Sequence, residues 1–208
     1  MPVKGQKKVS TPVQGSSGSA NILIEWKIIA PATISLLQSF VWGAFITFIP
    51  LYMIQHGIAN PGLFFTAMAT TLIAGRALGG RIIDAYNKEI ILLIFISTGM
   101  VAMIILYFSK TLPMFIVVGL IWGIGHSFFV PTSMTYSLEY AGSSGGTAVG
   151  TFRAFADLGQ TLGPMVMGLI IHSTGYPVMF LCLTFVCLLN LCYFQFYVRK
   201  KRKVVPAP

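Results

Sequence analysis

The chain has 208 residues, 55% of them hydrophobic and 9% charged, with a mean hydropathy of +0.80. Soluble domains carry about 25% charged residues, so this composition excludes an ordinary water-soluble fold and indicates an integral membrane protein. The net charge of +9 would suit a nucleic-acid partner, but the cations are distributed between apolar runs, and no nucleic acid is expected.

Residues 1–27 read as a cytoplasmic flexible linker. Lys4, Lys7, Lys8 and the run QGSSGSAN are polar and of low complexity. A short amphipathic piece at 22–27 carries Trp26, a side chain suited to a bilayer interface. A full-length span follows, not a short apolar stretch with a cleavage site, so no secretory signal is expected. Apolar runs at 28–55, 63–83, 90–109, 114–138, 145–172 and 177–198 each reach about 20 residues, enough to cross about 30 Å of hydrocarbon. Residues 28–198 are therefore expected to form a six-helix transmembrane bundle, with 199–208 as a basic cytoplasmic tail. Asn60-Pro61 fits a helix start. Residues 84–89 read as a short charged loop and 110–113 as a turn.

Of the 14 Lys and Arg residues, only Lys110 lies in a loop on one side; the others lie at the termini and at the second and fourth loops or their flanks. The positive-inside rule then places both termini in the cytoplasm of a multi-pass cell-membrane protein. His56 and His172 fall at span ends and read as solvated. Cys182, Cys187 and Cys192 step around the last span without sharing a face, and read as unpaired filler. No metal-ligand spacing, phosphate loop or nucleophile with its base occurs, so no cofactor is expected and the chain is not read as an enzyme.

The fifth span is the least lipid-like. Arg153, Asp157 and Gln160 fall at i, i+4 and i+7 on one face, and such charges usually look into a bundle or a wet cavity. Gly142, Gly146, Gly150, Gly159 and Gly163 repeat the spacing that lets helix backbones touch, and Pro164 interrupts the ladder below them. Arg153 and Asp157 admit two readings, a gating or proton-exchanging pair and a pair that merely neutralises itself.

The chain also repeats. Trp42-Gly43 followed by Phe48-Ile49-Pro50 is matched by Trp122-Gly123 followed by Phe129-Val130-Pro131, and Gly75-Arg76-Ala77-Leu78-Gly79 by Gly159-Gln160-Thr161-Leu162-Gly163, at a nearly constant offset. A duplicated three-helix unit places its two copies in opposite membrane orientation, a known secondary-transporter architecture. The expected fold class is an all-α membrane protein whose six transmembrane helices form two inverted three-helix repeats.

Over residues from about 22 to 198 the chain resembles the C-terminal half of a major facilitator superfamily transporter, of the drug- and sugar-efflux branch. The resemblance rests on 75–84, GRALGGRIID, on 125–131, on Arg153 through Gly159, and on Leu162-Gly163-Pro164. After Asp84 the family usually continues with Arg, any residue and Gly, where this chain has Ala85, Tyr86 and Asn87; Asn can take the left-handed turn that Gly would. The resemblance implies a conformational latch formed by Arg76, Gly80, Arg81 and Asp84, against the alternative of topology-fixing charges. It also implies that the first and fourth helices line a central cavity. There Gln38, Trp42 and Phe45, and likewise Trp122, His126 and Phe129, give two aromatic faces each with one polar group, apt for an organic solute or for a packed core. His126 could carry a proton.

The function expected is one half of a secondary active transporter that moves a small organic solute by alternating access, with protons as the candidate coupling ion. Gln38, Trp42, Trp122, His126, Arg153, Asp157 and Gln160 are its substrate or coupling candidates. The expected partners are the bilayer and an N-terminal six-helix half or a second copy of the chain. The alternative is a truncated, transport-inactive fragment or a membrane scaffold subunit.

Overall fold

A computed structural model describes the backbone of residues 26–141 and 145–198, and all side chains in those ranges except 26–28, 78–85, 140, 141, 145, 147 and 198. The expected flexible linker, most of the interfacial piece and the basic tail lie outside the described residues, as does Gly142. Six α-helices follow one another: α1 (Trp26–Gln55), α2 (Gly62–Ala85), α3 (Lys88–Phe108), α4 (Leu112–Ala141), α5 (Gly145–Thr174) and α6 (Tyr176–Tyr193), the last running into a π-helical turn, Phe194–Val198. Among the described residues, five helices are long and apolar enough to cross a membrane, within α1, α3, α4, α5 and α6. The remaining expected span falls in α2, whose described apolar stretch is Gly62–Ala77. The molecule is an all-helical, multi-pass membrane protein.

The helix ends follow local chemistry. Gly57, at φ 75°, closes α1: its N–H donates to the Ile54 carbonyl and that of Ile58 to the Met53 carbonyl. This paired closure satisfies carbonyls that have no partner within the helix, and it needs a left-handed residue. Gly175, at φ 85°, ends α5, its N–H donating to the Ile171 carbonyl at 2.9 Å, and Pro177 then opens α6. The Asn60 side chain accepts the Gly62 N–H at 3.0 Å, as its position before α2 suggested.

The loop expected at 84–89 is only Tyr86-Asn87. α2 continues through Asp84 to Ala85 because its apolar run meets no helix breaker. Asn87 is not left-handed: at φ −64°, ψ 120° it is the N-cap of α3, and its side chain accepts the Glu89 N–H at 2.9 Å. Glu89 in the first turn complements the helix dipole. At the same end Lys88 pairs with Glu139 of α4, both partly exposed. Such a pair contributes about 0–1 kcal/mol. Glu139→Gln is therefore expected to change unfolding free energy by less than about 1 kcal/mol, checked by denaturant titration in micelles.

Within a bilayer, apolar burial gives little preference for a helix neighbour over lipid, so close packing decides the pairings. α1 lies along α5, where Gly43, Gly159 and Gly163 bring the backbones together. α2 lies along α4, with Gly75 against Ser127 and Gly123 against the Met68 carbonyl and Thr71. α3 packs on α4 and α6, and α6 also on α1. The main core joins Phe45, Trp122, Phe64, Phe115, Tyr52 and Phe180, all 2% exposed or less. Polar contacts tie helices together as well: Asn190 of α6 donates to the Ile34 carbonyl at 3.3 Å and to Gln38 Oε1 at 3.4 Å. Thr33, Thr47, Thr98 and Thr184 bond the carbonyl four residues back, so their hydroxyls are satisfied within their own helices.

Candidate functional site

The two aromatic faces expected on the first and fourth spans meet between α1 and α4. The Trp42 ring stacks on His126 at 4.1 Å with 9° between planes, and on Trp122 at 6.2 Å and 13°. Phe45 packs on Trp122 at 4.7 Å. Phe45, Trp122, Phe129 and Gln38 are buried, whereas Trp42 and His126 are half-buried. Four of the six thus belong to the packed interior, and the Trp42–His126 pair is what the cluster presents outward.

Beside that pair, Gln38, Phe95, Gly99, Trp122, Gly125, His126 and Phe129 border a small cavity of about 10 Å³. Such a space is near the lower limit for one water molecule. Trp122 Nε1 and His126 Nδ1 are buried there without a protein hydrogen-bond partner. A buried polar group left without a partner is costly, so the polarity of this pocket is a feature the surrounding packing has to support. Its link to Asn190 was not foreseen, although an amide side chain inside the last apolar span was a usable signal.

α5 supplies the second part. Only 17% of its apolar core is buried, against 33–50% for the other four spans, so it is the least covered of the five. In α2 the described stretch is likewise mostly uncovered, with Phe64, Met68 and Gly75 buried. Ala148, Phe152, Gly159, Gly163 and Met167 are the buried residues of α5. Arg153, Asp157 and Gln160 are all exposed and share a different face with Gly146 and Gly150, around which the space is open. Asp157 and Arg153 form no ion pair with each other among the described residues. Apolar side chains Leu158, Leu162, Met165 and Leu169 occupy the other exposed face. The helices α1 and α5 run parallel, Gly159 abutting Leu36 and Gly163 abutting Phe40, so Gln160 lies at the depth of Gln38 and Trp42.

The residues expected as a latch divide. Arg76 is exposed and lies well inside α2, since its neighbour Gly75 abuts Ser127; it is at the depth of His126 and not in a loop. Asp84 lies in the last turn of α2. The side chains of Gly80, Arg81 and Asp84 lie outside the described residues.

The sequence pattern of the Major Facilitator Superfamily matches residues 31–208. The chain belongs to the major facilitator superfamily. It is 30% identical over 158 residues to a staphylopine export protein of Staphylococcus aureus, a match covering 71% of this chain and 38% of that protein. It is 28% identical over 139 residues to a protein of Cupriavidus necator named as a probable sulfoacetate transporter, covering 64% of this chain and 32% of the relative. The match thus spans about a third of the length of each relative. Both relatives are named for transport and neither as an enzyme.

Proposed function

We propose that this chain is one six-helix half of a secondary transporter that carries a small organic solute by alternating access. A second six-helix half or a second copy completes the pathway. The observation that carries this reading is the open flank of α5: Gln160 lies at the depth of the half-buried Trp42–His126 pair, and Asp157 and Arg153 follow on the same exposed face toward the start of the helix, with two unfilled glycines beyond them. Charged and amide side chains on the open face of a membrane-spanning helix are costly against lipid, and a water-filled path between two halves accommodates them.

The inverted-repeat reading is supported by the pairings themselves. Exchanging α1 with α4, α2 with α5 and α3 with α6 interchanges the main pairings: α1 on α5 becomes α4 on α2, α3 on α4 becomes α6 on α1, and α3 on α6 maps onto itself. The lesser α4–α5 and α5–α6 contacts have no counterpart of similar extent. Gly43 and Gly123, matched in the sequence repeat, each sit against the backbone of the partner helix. With six spans both termini share one side, and the Lys and Arg distribution makes that side the cytoplasm of a cell-membrane protein. Proton coupling through Asp157 and His126, a latch at the 75–84 stretch and membership of an efflux branch belong to the same proposal.

The test is transport in liposomes containing the chain alone and the chain with a second half, at symmetric and unequal pH. Asp157→Asn is expected to abolish acceleration by a pH gradient, and His126→Ala to reduce it. If both variants transport with unchanged pH dependence, the proton path is wrong. A pair of terminal tags found on opposite sides of the bilayer would exclude the six-span reading.

A further inference from the structure

A cavity of about 670 Å³ lies remote from the α5 flank. It opens at the other end of the bundle from the chain termini, where α1 and α3 finish and α6 begins, and it is lined by Tyr52, Gln55, His56, Tyr107, Phe108 and Lys110 among others. Its volume is that of a site for a drug-sized ligand, and its walls combine aromatic rings with a few polar groups, the usual composition of such sites. The walls are fixed. The Tyr52 hydroxyl donates to the Ser109 carbonyl at 3.2 Å, tying α1 to the end of α3, and the Tyr52 ring packs edge-on against Phe115 and Phe180.

Among the described residues, Lys110 is the one charged side chain of the lining. His56 Nδ1 lies 3.0 Å from the Tyr52 carbonyl, which can only accept, so Nδ1 carries the hydrogen and Nε2 is the ring nitrogen left to a ligand. Lys110 is exposed and makes no ion pair among the described residues. The acidic residues of the chain are at 25, 84, 89, 139 and 157, so the loops at this end carry none. A cation without a counter-ion, an amide and two phenols therefore surround an apolar hollow at the edge of the membrane spans. Phe108, 62% exposed, extends the hollow toward lipid.

We propose that this pocket binds the phosphodiester headgroup of an anionic phospholipid, with Lys110 on the phosphate, the Gln55 amide N–H beside it, His56 Nε2 accepting from a headgroup hydroxyl, and the first carbons of an acyl chain along Phe108 and Tyr107. Aromatic and basic side chains at this level are the common anchors of a helix end in the headgroup layer. The site depends only on the chain spanning a membrane, not on the transport reading above.

The test uses the whole chain in neutral detergent, titrated with phosphatidylglycerol, phosphatidylcholine or sodium phosphate while its melting temperature is followed. At a hundredfold excess over Kd, phosphatidylglycerol is expected to raise the melting temperature by about 5–10 °C, and phosphatidylcholine to leave it nearly unchanged. Basic residues at the opposite end also attract anionic lipid, so the decisive reading is the comparison with pocket variants. Lys110→Gln is expected to remove most of the rise and to lose one tightly held phosphatidylglycerol in native mass spectrometry, and Lys110→Arg to retain both. Equal shifts with the two lipids, or a shift undiminished in Lys110→Gln, would overturn the proposal. So would a shift with sodium phosphate as large as that with phosphatidylglycerol, since the lipid tail would then contribute nothing.

Discussion

Gly159→Ala is expected to destabilise the bundle by about 3 kcal/mol, the upper part of the usual cost of overpacking. A Cβ at this position would lie 2.1 Å from the Leu36 carbonyl oxygen, and one at Gly163 would lie 2.1 Å from that of Phe40. At Gly43 the corresponding distance is 2.3 Å, to the Gln160 carbonyl. In each case the obstacle is backbone inside a helix, which cannot rotate aside as a side chain can. α1 and α5 must separate, and the dispersion contacts along their whole seam weaken with distance. Gly150→Ala is the control, because nothing stands within 4 Å of its added methyl. It is expected to be neutral or to stabilise by up to about 1 kcal/mol through helix propensity. Unfolding of both variants in mixed micelles decides the matter: equal stability would mean that α1 and α5 do not meet at these glycines.

Trp42→Ala and Trp122→Ala are expected to separate function from folding. Trp122 is 2% exposed and packs against Phe45 and Trp42, so its removal leaves a cavity and is expected to cost about 3–5 kcal/mol of stability. Trp42 is half-buried and offers its outer surface with His126. Its loss is expected to cost less stability but to weaken solute binding in the completed transporter about tenfold, the equivalent of about 1.4 kcal/mol of stacking and contact. Unfolding measurements on both variants, together with transport at several solute concentrations, check this. A Trp42→Ala transporter with unchanged concentration dependence would remove the ring from the solute path.

The sequence by itself determined the helices, and their described ends lie within a few residues of the expected spans. Apolar runs long enough to cross hydrocarbon, and Gly57, Asn60 and Gly175 between them, leave few other choices. Helical periodicity likewise put Arg153, Asp157 and Gln160 on one face, and placed each aromatic triplet on a face of its own helix. Only the tertiary structure decided what those faces meet. Gly159 and Gly163 touch α1, whereas Gly146 and Gly150, in the same sequence pattern, face open space. Gln38 found Asn190, Arg76 proved to lie at mid-helix, and the Lys110 pocket was assembled from three separate helix ends. The reason is physical: periodicity is a property of one helix, but in a membrane lipid and protein neighbours are equally apolar. Which face packs and which stays open is therefore set by the fit of backbones and side chains between helices, and that fit exists only once the bundle is built.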